Sequence, residues 1–217
     1  KQGGHVWGGS ARPTASPNVN DDLAYDLSTI RERARHAWEN SATARAVVEG
    51  KVALVVSTGI DVEPDTKDVG RDTALHNAWS AWCEYASACG SMSLWDLQRQ
   101  ACRGEEVAGE WLWVLVDTDD YDRRGIPRAI MPVEPDRLAS GPVGAMEPGA
   151  TFVAGREIDK YGRVIAFHIL DGDGAAISGP LGGSLVAGSG GRPGAPIVTG
   201  SRGGKRYEAD RVIHGFE

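Results

Sequence analysis

Hydrophobic residues recur at helical spacing in the first half of the chain and alternate or run together in the second half. The spacing predicts an amphipathic helix from Asp21 to about Trp38 and a second helix from Ala42 to about Val56. The second helix is apolar over more of its circumference, so we expect it to be more deeply covered. Gly59 can adopt the left-handed conformation that ends it.

The stretch 79–116 predicts a helix, a break, a second helix and an apolar strand, and the rest of the fold is organised around it. One face of the first helix would carry Leu75, Trp79, Trp82, Ala86 and Cys89. The period repeats in the second helix at Leu94, Leu97 and Ala101, and Ser93 is its candidate N-cap. Residues 110–116 are rich in Trp and Val, which favours a central strand covered on both faces. The expected core residues are Trp79, Trp82, Leu97, Trp111 and Trp113.

The remaining segments alternate between turns and strands. Residues 61–72 carry five acids, a proline and a glycine, which is typical of a surface loop. Residues 117–125 read as the turn of a hairpin between the central strand and a strand near 126–133. A second hairpin is predicted over 156–170, with its turn at Lys160-Tyr161-Gly162 and with His168 as a half-buried strand residue. The last predicted strand runs from Arg211 to Phe216.

These patterns predict an α+β fold in which N-terminal helices pack on a mostly antiparallel sheet. Residues 1–20 are rich in Gly, Ser, Pro and Asn and predict a flexible arm. Residues 21–109 form the helical part and residues 110–217 the β-rich part of one domain. Within the β-rich part, the glycine-rich residues 171–204 are expected to be a flexible insert.

Charge and cysteine content narrow the possible functions. The net charge of −7 argues against a protein that holds nucleic acid through its overall field, since such binding depends on Lys and Arg. No run of eighteen apolar residues occurs, so a membrane-spanning helix is not expected. The three cysteines, Cys83, Cys89 and Cys102, lie in or beside the two central helices and are interpreted as reduced thiols.

Candidate motifs for catalysis or cofactor binding lack a required residue or the required spacing. Gly204-Lys205 is followed by Arg206 instead of Ser or Thr, so there is no P-loop. The five histidines lack metal-ligand spacing. One alternative stays open: Asp117, Asp119 and Asp122 could converge on a cation, and a metal-dependent hydrolase would use Asp117, Asp119, Asp120 and a distant His. No catalytic, cofactor-binding or metal-binding residue is assigned.

Three groups of short phrases follow one another along the chain. The first contains Ile30-Arg31-Glu32-Arg33-Ala34-Arg35, Asn40-Ser41 and Val55-Val56-Ser57-Thr58-Gly59-Ile60. The second contains Trp79-Ser80-Ala81-Trp82-Cys83, Leu97-Gln98-Arg99 and Gly109-Glu110. The third contains Val133-Glu134-Pro135-Asp136-Arg137-Leu138, Gly155-Arg156-Glu157-Ile158-Asp159, Gly162-Arg163, Ala166-Phe167-His168, Ala209-Asp210 and Val212-Ile213-His214. In this order, over residues 22–216, they resemble the portal proteins of lambda-family tailed bacteriophages.

The resemblance implies a structural protein and no enzyme. The chain would be the wing-like, N-terminal portion of a portal, with the stem, clip and crown beyond residue 217. Copies would form a ring, typically of twelve, at one capsid vertex, through which double-stranded DNA is packaged and ejected without sequence preference. The implied partners are the terminase large subunit, the major capsid protein and a head-tail adaptor protein. The implied location is the virion, with assembly in the host cytoplasm.

The arginines of the first helix are candidates for contacts between proteins. We hypothesise that Arg31, Arg33 and Arg35 face a neighbouring subunit or a capsid protein, because a closed ring needs two different surfaces on each subunit. The alternative is that they are solvated charges of an exposed helix face. A third reading of the whole chain is another structural component of a phage head or tail, such as a ring adaptor.

Overall fold

The computed structural model describes residues 19–171 and 203–216, in which four helices come first and strands follow, with one short helix between the first two strands. The helices are α1 (Val19–Asn40), α2 (Ala42–Val56), α3 (Val69–Glu84), α4 (Leu94–Ala108) and the short α5 (Tyr121–Arg124). The strands are β1 (Glu110–Asp117), β2 (Arg128–Val133), β3 (Thr151–Val153), β4 (Arg156–Ile158), β5 (Val164–Leu170), β6 (Gly204–Glu208) and β7 (Val212–Phe216). The α+β class is therefore confirmed.

The strands form two antiparallel sheets rather than one. The first sheet has the order β2-β1-β7 and the second has the order β3-β4-β5-β6. Strand β1 is the middle strand of the first sheet, as predicted. The predicted hairpin over 156–170 is confirmed as β4 and β5, and the predicted last strand is confirmed as β7. The sequence reading did not identify β3 and β6, which complete the second sheet.

The first sheet lies between the helices and the second sheet, and β1 is covered on both faces. On one face Trp113 and Leu115 pack against a core built from α3, α4 and Ile130. On the other face Leu112 and Val114 pack against Phe167 and other residues of the second sheet. This alternation is the period of two that a strand imposes on its side chains. The order of the layers is therefore helices, first sheet, second sheet.

The starts of α2 and α4 follow the predicted capping signals, whereas the C-cap of α2 is Ser57, with φ of 51°. Helix α2 has the predicted bounds, and the Ser41 hydroxyl accepts a hydrogen bond from the Ala44 N–H at 3.3 Å. Ser93 and Asp96 form a capping box at the start of α4. Gly59 has φ of 101°, and a Cβ there would lie 1.8 Å from the Trp95 ring, so glycine is required for both backbone and space.

Helix α3 differs from the prediction at both ends. It begins inside the predicted loop 61–72, because the Asp68 carboxylate caps the N–H groups of Gly70 and Arg71. It ends at Glu84, so Ala86 and Cys89 do not share its face. The chain after it becomes extended, and residues 86–88 form backbone hydrogen bonds to Ile130 of β2. The backbone bonds gained at the sheet edge outweigh the helical periodicity.

Two predictions concern the poorly patterned segments. Residues 1–18 of the predicted arm lie outside the described residues. Its last two residues belong to α1, which begins at Val19. Of the predicted insert 171–204, residues 172–202 lie outside them as well, while Gly204 is the first residue of β6. None of the described helices is long and apolar enough to cross a membrane.

Candidate interaction surface and buried charge clusters

Helix α2 is apolar on a side that the described residues 19–171 and 203–216 leave exposed, contrary to the expectation that it is more deeply covered. Only Val52 and Val56 are buried in it, against α1 and α4, while 85% of Leu54 is exposed. The exposed apolar residues continue through the following loop and α3. We call this set the α2–α3 surface: Val47, Leu54, Val55, Ile60, Val62, Val69 and Leu75. Apolar exposure concentrated in one segment is typical of a protein-binding surface.

The loop within the α2–α3 surface is fixed to the helices beneath it. Both the N–H and the carbonyl of Ile60 bond to the Gln98 side chain, at 2.8 and 3.0 Å. The Trp79 indole N–H donates to the Asp61 carboxylate at 2.7 Å. The apolar side chains are therefore presented by an ordered backbone, which lowers the entropy cost of binding a partner.

The loop within the α2–α3 surface is acidic. Residues 61–72 contain five acids and only two cations, Lys67 and Arg71. Asp61, Asp68 and Asp72 bond to groups of their own loop and helix. Glu63 and Asp65 are exposed at the tip of the loop, where Asp65 pairs with Lys67 at 2.6 Å. Residues 61–72 of this surface thus add negative charge to its exposed apolar side chains.

The three candidate interface arginines of α1 occupy different environments. Arg31 is buried, where its guanidinium pairs with Glu110 and lies 3.4 Å from the Asp136 carboxylate. It also donates to the Ala108 carbonyl at 3.2 Å. These contacts use the charge of Arg31 inside the chain and give its assignment to a neighbouring subunit no support. The neighbouring Ile30 is 53% exposed.

Arg35 and Arg33 lie progressively further from the interior. Arg35 is half-buried and pairs with the other oxygen of Asp136. Arg33 is exposed, so of the three it has the side chain best placed to reach another protein. Arg31 and Arg35 therefore lie on the side of α1 that faces the start of β1, and Arg33 does not.

Glu110 connects this arginine cluster to the last strand. Its second oxygen lies 2.7 Å from His214 Nε2, and both side chains are buried. Burial alone would raise the pKa of Glu110, but the hydrogen bond from His214 and the charge of Arg31 hold that pKa below its usual value. The cluster joins α1, β1, β7 and the 3-10 turn Pro135–Arg137.

A second charge cluster lies in the second sheet. Glu157 and His168 are both fully buried, which corrects the expectation that His168 is half-buried. Glu157 accepts hydrogen bonds from Arg206 Nε at 2.7 Å and from His168 Nε2 at 3.2 Å. His168 Nδ1 accepts the Val143 N–H at 2.9 Å. The near-continuous apolar run of β5 was the signal that His168 would be covered on both sides.

The acidic turn after β1 does not gather its carboxylates around one point. The Asp117 carboxylate lies 3.1 Å from Arg128 and 3.0 Å from Arg211. Asp120 lies 3.6 Å from the buried Arg124. Among the described residues, no group of three or more His, Cys, Asp or Glu side chains is placed to hold a metal ion. These contacts give the proposed hydrolase no support.

The expected core residues lie around β1 and α4 with different degrees of burial. Leu97 is fully buried and Trp82 is 7% exposed. Trp79 is half-buried and stacks on Trp82, with ring centroids 5.1 Å apart. Trp111 and Trp113 are half-buried on the helix-facing side of β1. All five therefore belong to the contact between helices and first sheet, with the tryptophans nearer its edge.

The cysteines are free thiols in contrasting surroundings, so their reactivity should differ. Hydrogen bonds from Ser87 and Ser91 lower the pKa of the exposed Cys89 to about 7, whereas burial raises the pKa of Cys83 to about 11. We expect iodoacetamide at pH 7 to alkylate Cys89 first, with a rate that rises to a plateau above that pH. Peptide mass spectrometry over a pH series measures this rate. A Ser91→Ala variant should shift the profile to higher pH, and equal labelling of all three thiols would contradict the prediction.

The comparisons with known proteins agree with the order of phrases along the sequence. A sequence model of the family described as phage portal protein, lambda family, matches residues 9–217. None of the curated proteins matches the chain significantly. The match includes α1 to β7, and thus both charge clusters and the α2–α3 surface.

Proposed function

Because the chain belongs to the lambda family of phage portal proteins, we propose that it is a structural subunit of the ring at one vertex of the capsid. The observation that carries the proposal is the match over residues 9–217, which leaves only the first eight residues outside it. Portal proteins are structural components of the virion capsid and associate with copies of themselves. We propose twelve copies per ring.

Ring closure places a specific demand on the subunit. A cyclic assembly other than a dimer joins one surface of each subunit to a different surface of the next. The α2–α3 surface supports the proposal, because it offers exposed apolar side chains on an ordered backbone. In the ring this surface would be covered by another subunit.

The charge of the chain supports a role as a conduit for double-stranded DNA during packaging and ejection. The net charge is −7, and contacts of Lys and Arg with phosphates would hold the duplex and slow its passage. We assign no catalytic step to the chain. The hydrolysis of ATP that drives packaging would belong to the terminase large subunit, which docks on the ring. The major capsid protein and a head-tail adaptor protein are the other proposed partners, and assembly would take place in the host cytoplasm.

The direct test is the shape and mass of the full-length protein in solution. We expect light scattering to give the mass of a closed oligomer and negative-stain images to show a ring with a central opening. A full-length protein that stays monomeric at all concentrations would contradict the proposal. A stoichiometric bound metal with a large thermal stabilisation would instead favour the hydrolase.

Leu54 provides a test of the α2–α3 surface in assembly. The Leu54→Glu substitution should weaken subunit association by about tenfold or more per contact, because it introduces a charge where an apolar contact forms. Its effect on the stability of the single subunit should be within about 0.5 kcal/mol, since the side chain is 85% exposed. Thr43→Glu is the matched control, because it places the same charge at an exposed position of the same helix. Mass against concentration for both variants measures the difference, and equal assembly would exclude this surface.

A further inference from the structure

The turn between β4 and β5 carries an exposed aromatic side chain between two cations. Tyr161 is 72% exposed, with Lys160 Nζ at 4.9 Å and the Arg163 guanidinium at 5.6 Å from its ring centroid. We call residues 160–163 the hairpin tip. Tyr and Arg are enriched where proteins meet, because each combines a large contact area with polar groups.

The hairpin tip is held in a fixed conformation by Asp159. The Asp159 carboxylate accepts the N–H groups of Tyr161 and Arg163 at 2.8 and 2.9 Å, and it also binds the Arg163 guanidinium. Gly162 has φ of 83°, which allows the tight reversal. Tyr161 therefore projects from a turn that needs little ordering before it binds.

The hairpin tip and the α2–α3 surface lie on opposite sides of the first sheet. The tip belongs to the second sheet, whereas α2 packs on α1 and α4, and α4 packs on the first sheet. The two surfaces are thus at opposite ends of the layers in one chain. A head-to-tail contact between two copies would bring one surface of each copy against the other surface of the next.

The two surfaces are also complementary in chemistry. The tip offers a tyrosine ring and two cations, of which Arg163 is partly neutralised by Asp159. The α2–α3 surface offers exposed apolar side chains bordered by Glu63 and Asp65. An aromatic ring set among apolar residues, with a lysine facing carboxylates, satisfies both sides of such a contact.

We infer that the hairpin tip of one copy packs against the α2–α3 surface of the next copy, with Tyr161 against Ile60 and Val62 and Lys160 facing Glu63. This inference rests on the proposed ring and names the two surfaces that form its subunit contact. The contact is heterologous, so it leaves each copy with one tip and one acceptor surface for its two neighbours.

A charge exchange in the full-length protein tests the contact. Lys160→Glu and Glu63→Lys should each lower subunit association by about threefold to tenfold, and the double variant should recover most of the loss because the charges are then reversed as a pair. Lys205→Glu is the matched control, since Lys205 is also an exposed lysine over a tyrosine ring in the second sheet, 5.1 Å from Tyr207. Mass against concentration gives the association, and thermal melts of the dissociated subunits verify folding.

Disulfide trapping locates the contact directly. In a Cys89→Ser background, the pair Tyr161→Cys and Val62→Cys should give a ladder of covalent oligomers on oxidation, whereas either single substitution should give none. This contact would be overturned, with the ring proposal intact, if the charge variants assembled rings normally and the cysteine pair gave no ladder. A parent protein that never forms rings would overturn both.

Discussion

Replacing Glu157 with alanine is expected to lower the free energy of unfolding by about 3–5 kcal/mol, because it removes one partner from a buried ionic cluster. Glu157 is fully buried and accepts hydrogen bonds from Arg206, His168 and the Glu147 N–H. Without the carboxylate, the Arg206 charge and the His168 ring lose their shared acceptor in the second sheet. Urea unfolding of the subunit at pH 7 measures the change.

Glu208 provides the matched control for Glu157. It also pairs with Arg206, but its side chain is 60% exposed, so Glu208→Ala should cost less than about 1 kcal/mol. The comparison separates the loss of a buried acceptor from the loss of a charge near Arg206. Equal effects of the two substitutions would contradict the assignment of Glu157 as the centre of the cluster.

The same cluster predicts a dependence on pH. Burial works against the charge of Glu157, but hydrogen bonds from Arg206, the Glu147 N–H and His168 hold its pKa below the usual value. Because the folded pKa is lower than the unfolded pKa, this stabilisation is complete above the unfolded value of about 4.3 and is lost as pH falls through the folded value. The stability difference between the parent and Glu157→Gln should therefore be large at pH 7 and shrink on acidification.

Local patterns in the sequence predicted those elements whose ends are determined by nearby residues. The start of α2 follows from Ser41, its end lies at the predicted stop Ser57-Thr58-Gly59, and the β4–β5 hairpin follows from the turn at Gly162. The chain beyond α3 was predicted as helix because its apolar spacing is helical. Its backbone bonds instead to Ile130, more than forty residues away in the sequence, and such a partner is not visible in a local period.

Helix α2 shows why periodicity alone could not locate the interaction surface. Its apolar circumference predicted deep burial, and Leu54 and Val47 are exposed in the single chain. The pattern was correct about hydrophobicity, but it does not distinguish cover by the same chain from cover by another copy. In a protein of a family that self-associates, the second form of burial is the physical explanation that we propose for the mismatch.

Replacing Arg31 with alanine is expected to destabilise the subunit by about 3–5 kcal/mol, whereas Arg33→Ala should change its stability by less than about 0.5 kcal/mol. Arg31 is buried between Glu110 and Asp136, so its loss leaves the buried Glu110 without its guanidinium partner and Asp136 with Arg35 alone. Arg33 is exposed two residues further along the same helix. Thermal and urea unfolding of both variants measure the contrast in the subunit.

In assembly we expect the larger direct effect from substitution of Arg33, which is the reverse of the effects on subunit stability. Arg33→Glu would weaken the ring if that side chain meets a neighbouring subunit or a capsid protein, and unchanged rings would favour solvated charge. Arg31→Met keeps much of the side-chain volume but removes the guanidinium that pairs with the buried Glu110, so it should remain less stable than the parent. A stable Arg31→Ala subunit that fails to assemble would contradict the buried role and return Arg31 to the interface. A destabilised Arg31→Ala subunit beside a fully stable Arg33→Ala subunit would establish that α1 is attached to the sheet through Arg31.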